Sequence, residues 1–60
     1  MKVQVLSTDP KIKGQLQLIV GATYIAHEVH WCNHGLMSVG IKVGRNIIAL
    51  WADQLKIVER

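Results

Sequence analysis

The stretch LMSVGIKVGRNIIALWADQL, residues Leu36 to Leu55, decides the fold of this chain. From Met37 to Val43 every second residue is apolar, which is the spacing that places side chains on one face of a β-strand. Gly44-Arg45-Asn46 supplies a turn, and the apolar run Ile47 to Trp51 returns along the first strand. Ala52 to Gln54 then breaks the run before a last strand. The stretch therefore predicts a β-hairpin followed by a single turn and one more strand.

The rest of the chain has the same strand character. Lys2 to Leu6 alternates polar and apolar residues, and Thr23 to Trp31 is rich in residues that suit a pleated surface. Between these two strands lies a long first loop, Ser7 to Gln17, in which Pro10 prevents regular pairing. The turn Cys32 to Gly35 leads into the central hairpin. This order predicts strands joined by short turns, with one long loop near the start.

No repeat, linker or helical apolar stripe interrupts this pattern. An isolated hairpin cannot bury a stable apolar face, so several short strands are expected to curl around one core. We therefore predict an all-β fold, a single five-stranded small barrel spanning residues 1–60, with a one-turn 3-10 break before the last strand.

Three segments carry a resemblance to a known family: Val3-Gln4-Val5, Leu18 to Tyr24, and Leu50 to Leu55. With the long first loop, they resemble the Src-homology-3-like small barrels and are similar to short bacteriophage or bacterial modules. The resemblance implies a non-catalytic domain that binds a protein or a nucleic acid. Signalling members bind proline-rich peptides through aromatics beside an acidic loop, whereas this loop has Lys11 and Lys13 and no aromatic residue. Binding of proline-rich peptides is therefore not expected.

Size and composition limit the function further. A chain of 60 residues buries only about 60% of its unfolded surface. The net charge of +3 is ordinary for a small soluble domain. The single cysteine, Cys32, excludes an internal disulfide and favours a reducing compartment, so we expect a cytoplasmic protein.

Three histidines and the cysteine lie within eight residues: His27, His30, Cys32 and His34. Their spacing matches no familiar zinc motif, and we expect no metal and no cofactor. A thiolate nucleophile at Cys32 would need an orienting carboxylate, and only Glu28 is near in sequence. We expect no enzyme activity.

These observations favour binding of another protein, with a regulator or inhibitor of a bacterial host protein as the type suggested by the resemblance. The expected protein-binding residues are Lys11, Lys13, Gln15, Gln17, Trp31, His34 and Trp51. The alternative is binding of nucleic acid through phosphate contacts from Lys11, Lys13, Lys42 and Arg45. Which tryptophan is exposed depends on strand register and stays open.

Self-association is a further expectation. Half of the residues are hydrophobic, and a domain this small cannot bury all of them. Some apolar side chains must therefore stay exposed in a monomer, and the candidates are Leu16, Leu18, Ile19, Trp31, Leu36, Met37 and Ile47. Because exposed apolar patches mark interfaces, a homodimer is expected.

Overall fold

The computed structural model describes all 60 residues and contains strands and short 3-10 turns but no α-helix. The strands are β1 (Lys2–Val5), β2 (Thr23–Ile25), β3 (Glu28–Cys32), β4 (Gly35–Val43), β5 (Asn46–Trp51) and β6 (Leu55–Glu59). The first 3-10 turn is Gln15–Gln17 and the second is Ala52–Gln54. The prediction of an all-β chain is confirmed, and the second 3-10 turn lies before the last strand as expected.

The strands form two separate antiparallel sheets. The terminal sheet has the order β2-β1-β6, and the central sheet has the order β3-β4-β5. No ladder of strand pairing joins one sheet to the other. The predicted single five-stranded barrel is therefore wrong, because six strands are present and neither sheet closes on itself.

The chain changes sheets at Ala26 and His27. The Ala26 amide donates to the Met1 carbonyl at 2.9 Å, beside the terminal sheet. The next amide, that of His27, donates to the Gly40 carbonyl at 2.8 Å in the central sheet. Because these neighbours bond to different sheets, the strand predicted over Thr23 to Trp31 is divided into β2 and β3. This division is the physical reason why one continuous barrel ladder does not form.

The core lies between the two sheets. The terminal sheet contributes Val3, Val5 and Leu55, and the central sheet contributes Val39, Ile41, Ile48 and Leu50. The first loop adds Leu18. Burial of each such aliphatic side chain contributes about 1.5–3 kcal/mol relative to its exposed state. This shared core holds together two sheets that have no strand ladder in common.

A tight hairpin joins β4 to β5. Val43 pairs with Asn46, so only Gly44 and Arg45 form the loop. Gly44 has a φ of 61°, while Arg45 keeps a negative φ, which is the combination of a type II′ turn. This turn sets the register of β5 on β4 along its full length, from Asn46 to Trp51.

No helix in the structure has the length and apolar character needed to span a membrane.

Candidate functional site

A buried pair of glutamines fixes the first loop against the central sheet. Gln15 is completely buried, and its side-chain amide exchanges hydrogen bonds with that of Gln54 at 2.9 and 2.8 Å. Gln15 Nε2 also donates to the Ala49 carbonyl at 2.7 Å, and Gln15 Oε1 accepts from the Asp9 amide at 2.9 Å. Every buried polar side-chain atom has a partner. The prediction that Gln15 contacts a partner protein is corrected, because its side chain supports the loop from inside.

A cleft of about 450 Å³ lies between this loop and β5. Its lining residues are Ile12, Lys13, Gly14, Gln17, Arg45, Asn46, Ile47, Ile48 and Ala49. The Gly14 backbone closely approaches Ile48, since a Cβ atom on Gly14 would lie 3.1 Å from Ile48 Cγ1. The volume is within the range of about 300–1,000 Å³ that is typical of ligand pockets.

The cleft is cationic. Lys13 from the loop and Arg45 from the hairpin turn both line it, and no carboxylate does. Gln17 and Asn46 add side-chain amides, which are able to donate and accept hydrogen bonds. The apolar part of the lining comes from Ile12, Ile47, Ile48 and Ala49. The cleft therefore combines an apolar wall with positive charge at its rim.

The free edge of β5 forms one wall of the cleft. The Ala49 carbonyl accepts from Gln15, and the Trp51 amide donates to Gln54 Oε1 at 3.1 Å, so both groups point away from β4. Main-chain groups in an antiparallel strand point alternately toward and away from the partner strand. The amide and the carbonyl of Ile47, two residues before Ala49, therefore also point away from β4. Outside the β4–β5 ladder, no hydrogen bond involves the main chain of Ile47 or the Ala49 amide. Two donors and one acceptor on β5 thus stay unpaired at the cleft.

The outer face of the central sheet adjoins the cleft at Ile47. On this face Trp51 and His30 flank Ser38, and Ala49 and Glu28 flank Gly40. Ser38 is only 6% exposed because its neighbours cover it. We call this surface the tryptophan face.

Both tryptophans are exposed. Trp51 keeps 44% of its surface accessible and Trp31 keeps 56%, and neither belongs to the core. Trp31 follows a register shift between His30 and Trp31. Leu36, which pairs with Trp31, packs against the core, whereas Ser38 two residues later lies on the outer face. The bulge adds one residue to β4, so that Leu36 and Val39, three residues apart, both face the core. Trp31 lies opposite Leu36 near the end of the sheet and stays exposed there.

The histidines and the cysteine are dispersed and exposed. His30 Nε2 lies 3.2 Å from Glu28 Oε1, and Cys32 and His34 lie near or in the β3–β4 turn. No group of three or more histidine, cysteine or acidic side chains is placed to hold a metal ion. This region adds polar surface next to Trp31.

The structure divides the predicted site residues between surfaces. Lys13, Gln17 and Arg45 come together in the cleft. Lys42 lies on the outer face opposite Ile47, and Lys11 is exposed on the loop outside the cleft lining. Trp51 is on the tryptophan face, while Trp31 and His34 lie toward the β3–β4 turn.

Sequence reasoning missed the part of the cleft formed by β5. The sequence pattern places Asn46 in a turn and Ile47 in a strand and predicts no binding role for either. It places Ile12 and Gly14 in the long first loop. The apolar run of β5 contains no signal for the loop that packs beside it, roughly 30 residues earlier. The cations Lys13 and Arg45 are the predicted binding residues that lie on the loop and on the hairpin turn, respectively.

Comparison of the chain with protein-family models, with curated proteins and with solved structures gives no match.

Proposed function

We propose that this chain is a non-enzymatic protein-binding module that contacts its partner through the tryptophan face. The observation that carries the proposal is the position of Trp51, which is 44% exposed on the outer face of the central sheet, opposite Ser38. Tryptophan is enriched among the residues that dominate the energetics of protein interfaces. A large aromatic side chain that stays exposed on the face of a sheet offers an anchor for a partner protein.

The surroundings of Trp51 support the same reading. Ile47 is 43% exposed on this face, and Ala49 lies between it and Trp51. Alternate residues of one strand share a face, so Ile47, Ala49 and Trp51 form an apolar row along β5. Contiguous exposed apolar surface on a small domain marks an interaction site.

The finer proposal is a bacteriophage-type regulator or inhibitor of a bacterial host protein, acting in the cytoplasm. The resemblance of its sequence pattern to small bacteriophage modules supports the type of partner. The single unpaired cysteine, Cys32, supports a reducing compartment.

Nucleic acid is the alternative ligand. The observation in its favour is that Lys13 and Arg45 line one cleft without a carboxylate. Lys42 and Lys11 are exposed and would extend the phosphate contacts. Phosphate contacts make affinity fall steeply with salt, whereas an interface centred on a buried aromatic responds much less.

The test is capture of partners from bacterial lysate on the immobilised chain, with and without nuclease and at low and high salt. We expect a protein that resists nuclease and salt and that Trp51→Ser no longer captures. Val58→Ser is the matched control, because Val58 is 50% exposed on β6 of the terminal sheet. Capture that nuclease abolishes, or that both variants retain equally, would overturn the proposal.

A further inference from the structure

We infer that the cleft between the first loop and β5 binds an extended acidic segment of the partner protein, which pairs with the free edge of β5. This inference rests on the proposed protein-binding function and names the chemistry of the segment that is bound. An added strand gains affinity from main-chain hydrogen bonds and specificity from alternate side chains.

The main-chain groups of β5 provide the first argument. The Ile47 amide, the Ile47 carbonyl and the Ala49 amide face away from β4 and have no partner within the chain. A strand laid beside β5 would pair with all three groups. Further along β5, the Ala49 carbonyl and the Trp51 amide already form hydrogen bonds with the side chains of the glutamine pair. The free edge therefore ends at Ala49, which limits the pairing to a short segment near the hairpin turn.

Charge complementarity provides the second argument. Lys13 lines the cleft from the first loop and Arg45 from the hairpin turn, and no acidic side chain lines it. A segment with acidic residues at alternate positions would direct its carboxylates to one side of the added strand. The other side chains of such a segment would lie on the opposite side, beside the apolar row that begins at Ile47. A basic segment would meet repulsion from both cations.

The size of the cleft agrees with this occupant. Its volume of about 450 Å³ accommodates a few residues of a peptide but not a folded domain. Asn46, Ile47, Ile48 and Ala49 are consecutive residues of β5 along one wall, so the cleft follows the strand direction. A segment in extended conformation matches this shape.

The test uses the peptide acetyl-Glu-Val-Glu-Val-Glu-amide as a probe, with amide chemical shifts and hydrogen exchange of the full chain as readouts. We expect shifts centred on β5 and slower exchange of the Ile47 and Ala49 amides. Arg45→Glu is expected to weaken binding at least about tenfold, since it reverses one charge at the rim. Lys56→Glu is the matched control, because Lys56 is exposed on the terminal sheet opposite Gln4, and its effect should stay within about twofold.

Two further probes separate strand pairing from simple charge attraction. The same peptide with its backbone nitrogens methylated keeps its charge but loses its donors, and we expect at least about tenfold weaker binding. A peptide with lysine in place of glutamate should not bind. Equal binding of the methylated peptide, or no binding of the acidic peptide at millimolar concentration, would overturn the inference.

An oligothymidylate probe tests the competing ligand class. If it binds the cleft more tightly than the acidic peptide and loses affinity with Arg45→Glu, the cleft is a nucleic-acid site and the inference is wrong. If the acidic peptide fails while Trp51-dependent capture of a protein persists, only the peptide inference fails. Loss of both results would remove the protein-binding function itself.

Discussion

Gln15 and Gln54 lie 39 residues apart in sequence and exchange two side-chain hydrogen bonds, at 2.9 and 2.8 Å. Gln15 belongs to the first loop and Gln54 to the turn between β5 and β6. Each side chain also bonds the main chain near or at the end of β5, through the Ala49 carbonyl or the Trp51 amide. The pair therefore attaches the first loop, which carries Lys13, to β5 at Ala49, and both Lys13 and Ala49 line the cleft.

We expect Gln15→Leu to destabilise the fold by about 2–4 kcal/mol, because it leaves the Gln54 amide, the Asp9 amide and the Ala49 carbonyl without their partner. Urea denaturation measures this change. Gln17→Leu is the control, since Gln17 lies in the same turn but is exposed and should change stability by less than about 0.5 kcal/mol. Equal effects of the two substitutions would show that the glutamine pair does not hold the loop.

Gly40 should not tolerate a side chain. A Cβ atom there would lie 2.7 Å from Ile47 Cγ2 and 3.2 Å from Glu28 Cβ, and the β-branched Ile47 has little freedom to move away. We expect Gly40→Ala to cost about 1–3 kcal/mol in thermal or urea unfolding, as overpacking does. Combining it with Ile47→Ala removes the clash, so the double variant should lose less stability than the two single costs added together. Additive costs would mean that Ile47 does not limit the space above Gly40.

Self-association should depend on the apolar side chains at the first 3-10 turn. Leu16 is 70% exposed and Ile19 is 67% exposed, so the predicted exposure of these two residues is confirmed, whereas Leu18 is buried. We expect the average mass in sedimentation to rise above the 6.7 kDa monomer as concentration increases. Leu16→Ser combined with Ile19→Ser should reduce this rise without unfolding the chain. A wild-type chain that stays monomeric at every concentration would contradict the expectation.

The apolar alternation along the chain was sufficient to predict most strands. It identified β1 and β4, and with the glycine turn it placed the β4–β5 hairpin within one residue at each end. Alternation did not predict the division of Thr23 to Trp31 into two strands, because neither face of this stretch is purely apolar. Polar and apolar side chains are mixed on both faces there because the chain passes from one sheet to the other at Ala26 and His27.

The candidate site was predictable in its charges but not in its geometry. Lys13, Gln17 and Arg45 were named from the sequence, and the structure brings them into one cleft. Gln15 was placed at the surface because glutamine is mostly exposed in proteins. Its burial depends on four side-chain hydrogen bonds to three residues, Asp9, Ala49 and Gln54, which no local pattern connects to it.

By itself, the sequence determined the all-β class, a hairpin turn that begins at Gly44, and the 3-10 turn before β6, because these follow from side-chain spacing and local backbone preference. Only the tertiary structure decided the division into two sheets, the exposure of both tryptophans and the cleft beside β5. These features depend on which main-chain groups find partners across long stretches of sequence. The assembled core and the buried glutamine pair stabilise this arrangement of the strands. Both join residues that are distant in sequence, so no single segment predicts them.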